Sequence, residues 1–227
     1  FSCRRPPDLS RMKENLYQYV DHTALKACTT WEEIRKLCRE ALKYGMASVC
    51  IPSSYVGRAH EAFPELTICT VVGFPLGNAN TAGKIAETRQ ALADGASEID
   101  MVINIGMVKN GEYEAVTEEI RQLKEAVGER ILKVIIETCY LTEAEKIAMC
   151  RAVTEAGADY IKTSTGFGTG GASVEDVRLM KAHIGPEVKI KAAGGIRTRE
   201  EMEAYLVAGC SRIGTSGAIS MLRDSRP

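Results

Sequence analysis

Three histidines, one tryptophan, and no Cys-x-x-Cys pair: the 227-residue chain has little of what metal sites and small disulfide-built folds are made from. His22, His60 and His183 lie far apart, so none offers a local ligand pair, and a zinc site is not expected. Eight cysteines are present, but they are dispersed through a chain large enough to have its own core, and they read as reduced cytosolic thiols. No apolar stretch approaches the roughly 18 residues of a membrane span, because Lys, Glu or Asp interrupts each strand-like run. No Lys/Arg run exceeds Arg4-Arg5, and 29 basic residues against 30 acidic ones leave a net charge of -1, so nucleic acid is not an expected partner. The amino end has no apolar signal-peptide core and reads as a tail over 1–10, followed by one domain over 11–227.

What is present is alternation. Short β-branched runs at 17–20, 48–51, 67–73, 98–104, 132–137, 160–164, 187–193 and 212–215 read as strands. Segments of helical period at 30–44, 81–94, 113–127, 142–156, 173–183 and 198–208 lie between them. Three of these open with capping-box chemistry, Thr30 with Glu33, Thr142 with Glu145 and Thr198 with Glu201. Gly45, Gly95, Gly157 and Gly209 stand where helices must turn into the next strand. Eight strands with crossover helices predict an α/β fold, a single (β/α)8 TIM barrel. A doubly wound open sheet shares the alternation; similar unit lengths, the lack of a composition shift and candidate site residues late in several strands favour closure.

In a barrel a charge between two apolar residues points inward. On that rule Lys189, Lys191, Lys133, Glu137 and Asp100 face the interior, Lys189 towards the bottom, and Lys162 lies between Ile161 and Thr163. Buried charge is costly unless paired, so these residues form either a structural ion-pair network or a site. For Lys162 and Lys191 together the site reading is stronger. An ordinary lysine, of pKa about 10.4, is almost wholly protonated near pH 7 and a poor nucleophile. A second cation and partial desolvation correct that, and Lys191 is placed to be the cation for Lys162, with Asp100 moving protons through a water.

Gly166, Gly168 and Gly171 stand in GxGxxG spacing, but the dinucleotide fingerprint needs a first βα turn and an acidic end to the next strand, which here runs Lys191-Ala192-Ala193-Gly194. The better reading is a phosphate cradle of backbone N–H groups from Gly166, Gly194-Gly195 and Gly214-Thr215-Ser216-Gly217, after the last three strands. Gly166, Gly194, Gly195, Ser216 and Gly217, with Lys133 and Thr165, are the expected substrate- and phosphate-binding set.

The runs Tyr160-Ile161-Lys162-Thr163-Ser164-Thr165-Gly166-Phe167, Val188 to Arg197 and Leu132 to Thr138 closely resemble the deoxyribose-phosphate aldolase family, and the similarity extends from about Tyr19 to Ser216. The resemblance implies reversible, metal-free and cofactor-free cleavage of 2-deoxy-D-ribose 5-phosphate to acetaldehyde and D-glyceraldehyde 3-phosphate. It implies Lys162 as the Schiff-base lysine, Asp100 as the proton-transfer carboxylate and Lys191 as the lysine that perturbs it. A cytoplasmic enzyme is expected, a dimer or tetramer of identical chains. Some members carry a longer tail whose tyrosine assists proton transfer, while this sequence ends Arg223-Asp224-Ser225-Arg226-Pro227. Either that tail is missing here or the enamine is protonated by another route. The competing functions are another phosphate-binding barrel enzyme and a catalytically silent sugar-phosphate-binding protein, neither of which requires Lys162, Lys191 and Asp100 together.

Overall fold

A computed structural model describes residues 15–223; the expected tail over 1–10 and the residues after Arg223 lie outside that range. Eight parallel strands, β1 (Val20–Thr23), β2 (Ser48–Ile51), β3 (Ile68–Val72), β4 (Glu98–Val102), β5 (Ile131–Ile135), β6 (Tyr160–Lys162), β7 (Lys189–Ala193) and β8 (Arg212–Thr215), pair in sequence order. The β1–β8 pairing closes the barrel, which excludes the doubly wound alternative. Around it run α1 (Trp31–Tyr44), α2 (Val56–Ala62), α3 (Thr81–Asp94), α4 (Ile105–Lys109), α5 (Tyr113–Val127), α6 (Glu143–Glu155), α7 (Val174–His183), α8 (Arg199–Ala208) and α9 (Ala218–Leu222). None of them is long and apolar enough to cross a membrane.

Local chemistry starts and stops these helices. Thr30, Thr142 and Thr198 each close a reciprocal capping box with the glutamate three residues on. Gly45, Gly95, Gly157 and Gly209 all take the positive φ that ends a helix and that a Cβ disfavours. The outer strand faces, among them Ile99, Met101, Leu132, Val134, Ile161, Ile190 and Ile213, bury against helix residues such as Ile120, Leu123, Val153, Met180 and Met202. That shell holds most of the apolar core, and it leaves the barrel interior to other side chains.

Two differences from the sequence reading bear on the site. The first strand spans Val20–Thr23, and Leu16–Tyr19 form a 3-10 turn before it, so Asp21 enters the barrel. The fourth and fifth strands stop early: Asn104 caps α4 through Met107 N–H, and Glu137 leaves the strand with a φ of 51°. The short helices α2, α4 and α9 had no periodic signal of their own.

Thr142→Ala should lower stability by about 1 kcal/mol, the usual contribution of an N-cap hydroxyl. Urea unfolding should show a lower midpoint at unchanged slope.

Candidate active site

Strand register stacks the inward side chains in layers of four, each layer drawn from alternate strands. Ser48, Glu98, Tyr160 and Arg212 make the lowest layer. Asp21, Cys69, Lys133 and Lys191 lie above it, followed by Cys50, Asp100, Lys162 and Gly214. Lys189 lies at the bottom opening, exposed, with its ammonium 5.8 Å from the Tyr160 ring.

The centre is the fully buried Asp100 carboxylate. Its Oδ2 accepts from Lys162 Nζ at 2.9 Å and Lys191 Nζ at 2.7 Å, and its Oδ1 from Lys133 Nζ at 2.9 Å and Cys69 Sγ at 3.2 Å. Asp21 binds Lys191 at 2.6 Å through Oδ2, while its Oδ1 accepts from Arg212 and Ser48, both at 2.7 Å. Glu98 completes the set against Lys133 at 2.7 Å and Arg212 at 2.8 Å. Gly214 keeps this packing possible, since a Cβ there would lie 3.0 Å from Lys191 Cε. The residue expected in the phosphate cradle is instead an inward strand position that makes room for Lys191.

Burial alone would raise the Asp100 carboxyl, but Lys133, Lys162 and Lys191 outweigh it and hold the group well below the usual carboxylate range. The same balance lowers Asp21, through Lys133, Lys191 and Arg212. Burial would lower Lys191 and Lys133, yet Asp100 and Asp21 reverse it and raise both ammonium groups. Asp21, Glu98 and Asp100 are therefore matched by Lys133, Lys191 and Arg212, three against three. Lys162 stands outside that count. Among the described residues its ion-pair partner is Asp100 Oδ2, an oxygen that Lys191 also holds.

The expected binding residues divide into two groups. Gly166, Gly195 and Ser216 are exposed at the ends of β6, β7 and β8, and a side chain at Gly166 or Gly195 would meet only open space. Gly194 belongs to the same rim and ties two loops together: its carbonyl accepts from Ala172 N–H at 3.0 Å, and a Cβ at Gly171 would lie 2.3 Å from that oxygen. The other three are engaged elsewhere. Lys133 is fully enclosed among three carboxylates. Thr165 is buried, and its N–H and hydroxyl both donate to Glu137, at 3.0 and 2.5 Å. Gly217 N–H donates to the Thr215 hydroxyl at 3.1 Å. Lys133 supports the charge set, and Thr165 with Glu137 anchors the loop after β6.

Asp21, Glu98, Arg212 and Cys69 were not read from the sequence as site residues. Asp21 was hidden by placing the first strand too early. Glu98 and Arg212 share parity with Asp100 and Gly214 on their strands, which was the available signal, while a cysteine among apolar residues carries none.

An amine held among fixed charges at the carboxyl ends of barrel strands is equipment for carbonyl chemistry, and it defines the class as barrel enzymes that work through a lysine. The chain belongs to the DeoC/LacD family of aldolases, whose sequence profile matches residues 16–225. It is 65% identical over 209 residues to a deoxyribose-phosphate aldolase of Clostridium botulinum (strain Alaska E43 / Type E3), covering 92% of this chain and 95% of that one. Against the deoxyribose-phosphate aldolase of Clostridioides difficile (strain 630) identity is 53% over 212 residues, 93% of this chain and 97% of the relative. Among solved structures, the tetrameric deoxyribose phosphate aldolase from Aeropyrum pernix superimposes with a TM-score of 0.84 at 31% identity, covering 93% of this chain and 91% of that chain.

Lys133→Met should destabilise the barrel by about 3–5 kcal/mol, because it removes from three buried carboxylates a cation that all of them share. Denaturant unfolding checks this, and a loss below about 1 kcal/mol would mean the remaining cations suffice for the three acids.

Proposed function

We propose that the chain is a class I, Schiff-base-forming aldolase, a lyase that reversibly cleaves 2-deoxy-D-ribose 5-phosphate to acetaldehyde and D-glyceraldehyde 3-phosphate. The observation that carries the proposal is Lys162, the one lysine of the interior set left outside a three-against-three charge balance, at the upper end of β6. The identity to curated deoxyribose-phosphate aldolases supports the substrate.

In this reading Lys162 Nζ, as the free amine, attacks C1 of the open-chain sugar, and loss of water gives the iminium. The positive nitrogen draws electrons from the C2–C3 bond. Asp100, 2.9 Å from Lys162 Nζ and held anionic, accepts the C3 hydroxyl proton through a bridging water as that bond breaks. Glyceraldehyde 3-phosphate leaves, the enamine is reprotonated at C2, and hydrolysis frees acetaldehyde and Lys162. Lys191, fixed by Asp100 and Asp21, supplies a permanent positive charge that opposes protonation of the resting Lys162 and orients the Asp100 oxygen that both amines share. The exposed ends of β6, β7 and β8, with Gly166, Gly194, Gly195 and Ser216, are the proposed seat of the phosphate, at the position barrels commonly use. No step draws on a metal or a cofactor. An assembly of identical chains, dimer or tetramer, and a cytoplasmic location complete the proposal; the solved relative from Aeropyrum pernix is tetrameric.

Incubation with acetaldehyde or deoxyribose 5-phosphate followed by borohydride should add one ligand irreversibly, and peptide mass mapping should place it on Lys162. Lys162→Arg keeps the charge but cannot form the imine, so it should fold and lose cleavage by several orders of magnitude. Substantial activity in that variant, or inhibition of the wild type by EDTA, would refute the assignment and favour another barrel enzyme. A wild type that forms no adduct and cleaves nothing would instead be a silent binding protein.

Lys191→Leu tests the charge balance. Without Lys191 the Asp100 carboxyl loses one of the cations that hold it well below its usual range, so it becomes anionic only at higher pH and the rising limb of the kcat/KM profile should move towards alkaline pH. A profile that keeps its wild-type position would refute the role given to Lys191.

A further inference from the structure

Two thiols inside the barrel have no part in this chemistry. Cys50 and Cys69 are Cα partners across the parallel β2–β3 pair, and neither exposes any surface. Adjacent strands run about 4.8 Å apart, within the 4.4–6.8 Å over which two Cα atoms accept a disulfide. Their sulfurs and an Asp100 oxygen lie within 4.8 Å of one another. That trio has the spacing of a metal site, but Asp100 already holds the side-chain nitrogens of Lys133, Lys162 and Lys191. A divalent cation would face all three, whereas a thiolate gains from the same charges.

We propose that Cys50 and Cys69 form a redox-active dithiol that closes to a disulfide on reaction with a hydroperoxide and reversibly switches off the aldol chemistry at Lys162. Cys50 shares its layer with Lys162 and Asp100, so the switch requires hydrogen peroxide to enter by the same route as the sugar proposed to meet Lys162. The pair is polarised. The neighbouring Cys69 lowers the Cys50 thiol against the effect of burial, with Lys191 and Lys162 assisting, while burial and Cys50 raise Cys69. Cys50 is thus the attacking thiol and Cys69 the resolving thiol. The Cys50 sulfur takes one oxygen of the peroxide, whose O–O bond breaks, and the departing hydroxide leaves as water with the Cys50 proton. The Cys69 sulfur then displaces the hydroxyl from the sulfenic acid as a second water, carrying the Cys69 proton. Two thiols and one peroxide give one disulfide and two waters.

Closure costs the site a contact. Cys69 Sγ donates to Asp100 Oδ1 at 3.2 Å and accepts from Lys133 Nζ at 3.3 Å, and a disulfide sulfur has no proton to donate. Asp100 then loses one of the donors that set its orientation towards Lys162.

The activity arm rests on the aldolase reading, and the covalent arm does not. After hydrogen peroxide treatment and alkylation of the remaining thiols, non-reducing peptide mapping should show the Cys50 and Cys69 peptides joined, two hydrogen atoms lighter than their sum. Cleavage of deoxyribose 5-phosphate should fall at least tenfold in step with that linkage and return with dithiothreitol. Cys69→Ala cannot close the bond and should keep its own starting activity through an exposure that silences the wild type; Cys50→Ala gives the same comparison should the first variant fail to fold. The proposal is overturned when exposed Cys28 oxidises while the two peptides stay unlinked, when linkage leaves cleavage unchanged, or when the alanine variants are silenced as fast as the wild type. A wild type that links but never cleaved the sugar refutes the aldolase reading and the switch, and leaves the dithiol established.

Discussion

One buried carboxylate, Asp100, accepts hydrogen bonds from the Nζ atoms of three lysines that reach it from three different strands. An arrangement of this kind holds only if every charge has a partner, because an unpaired ion in a closed barrel costs several kcal/mol. Most of the interior is organised to meet that condition. Asp21 and Glu98 supply the further negative charge, Arg212 bridges them, and Ser48 donates to the Asp21 oxygen that Arg212 also holds. Gly214 supplies space where a methyl group would press on Lys191. The interior of this barrel is therefore an ion cluster rather than the packed aliphatic layers common to the fold, and apolar burial is carried by the outer strand faces against the helices.

The same cluster explains how one lysine differs from its neighbours. Lys133 and Lys191 each hold two or more carboxylates, and those contacts keep them charged. Lys162 shares a single oxygen with Lys191 and sits nearest the upper opening of the three. Position in the shared charge set, more than contact with any one residue, sets it apart from the other two. Structural pairing and reactivity come here from one network, so substitutions in it change stability and pH dependence together.

Above the cluster the loops divide the work. Backbone contact between Gly171 and Gly194 joins the loops that follow β6 and β7, and Thr165, held by Glu137, fixes where the first of them begins. Glu137 adopts a left-handed backbone conformation that non-glycine residues rarely take, and its two hydrogen bonds to Thr165 are what the surrounding structure gains from it. Rigid loops leave Gly166, Gly195 and Ser216 presented together at the rim.

Local order was legible because it is local. Thr30, Thr142 and Thr198 cap their helices through residues three positions away, and Gly45, Gly95, Gly157 and Gly209 turn the chain for reasons confined to their own φ. Period-2 alternation placed Lys133, Lys162, Lys191 and Asp100 inside, since strand side chains alternate whatever the partner strand is. The partners of those charges were another matter. Cys69 meets Asp100 across 31 residues and Arg212 meets Asp21 across 191, contacts that exist only once β1 closes against β8 and register sets the layers. Tertiary placement likewise commits the Thr165 N–H to Glu137, on the loop after β5, while the Gly217 N–H goes to Thr215 in its own loop. By itself the sequence determined the barrel, its caps and the inward lysines; tertiary closure alone decided which of those lysines is left without a carboxylate of its own, because charge neutrality in a buried cluster is a property of the whole set.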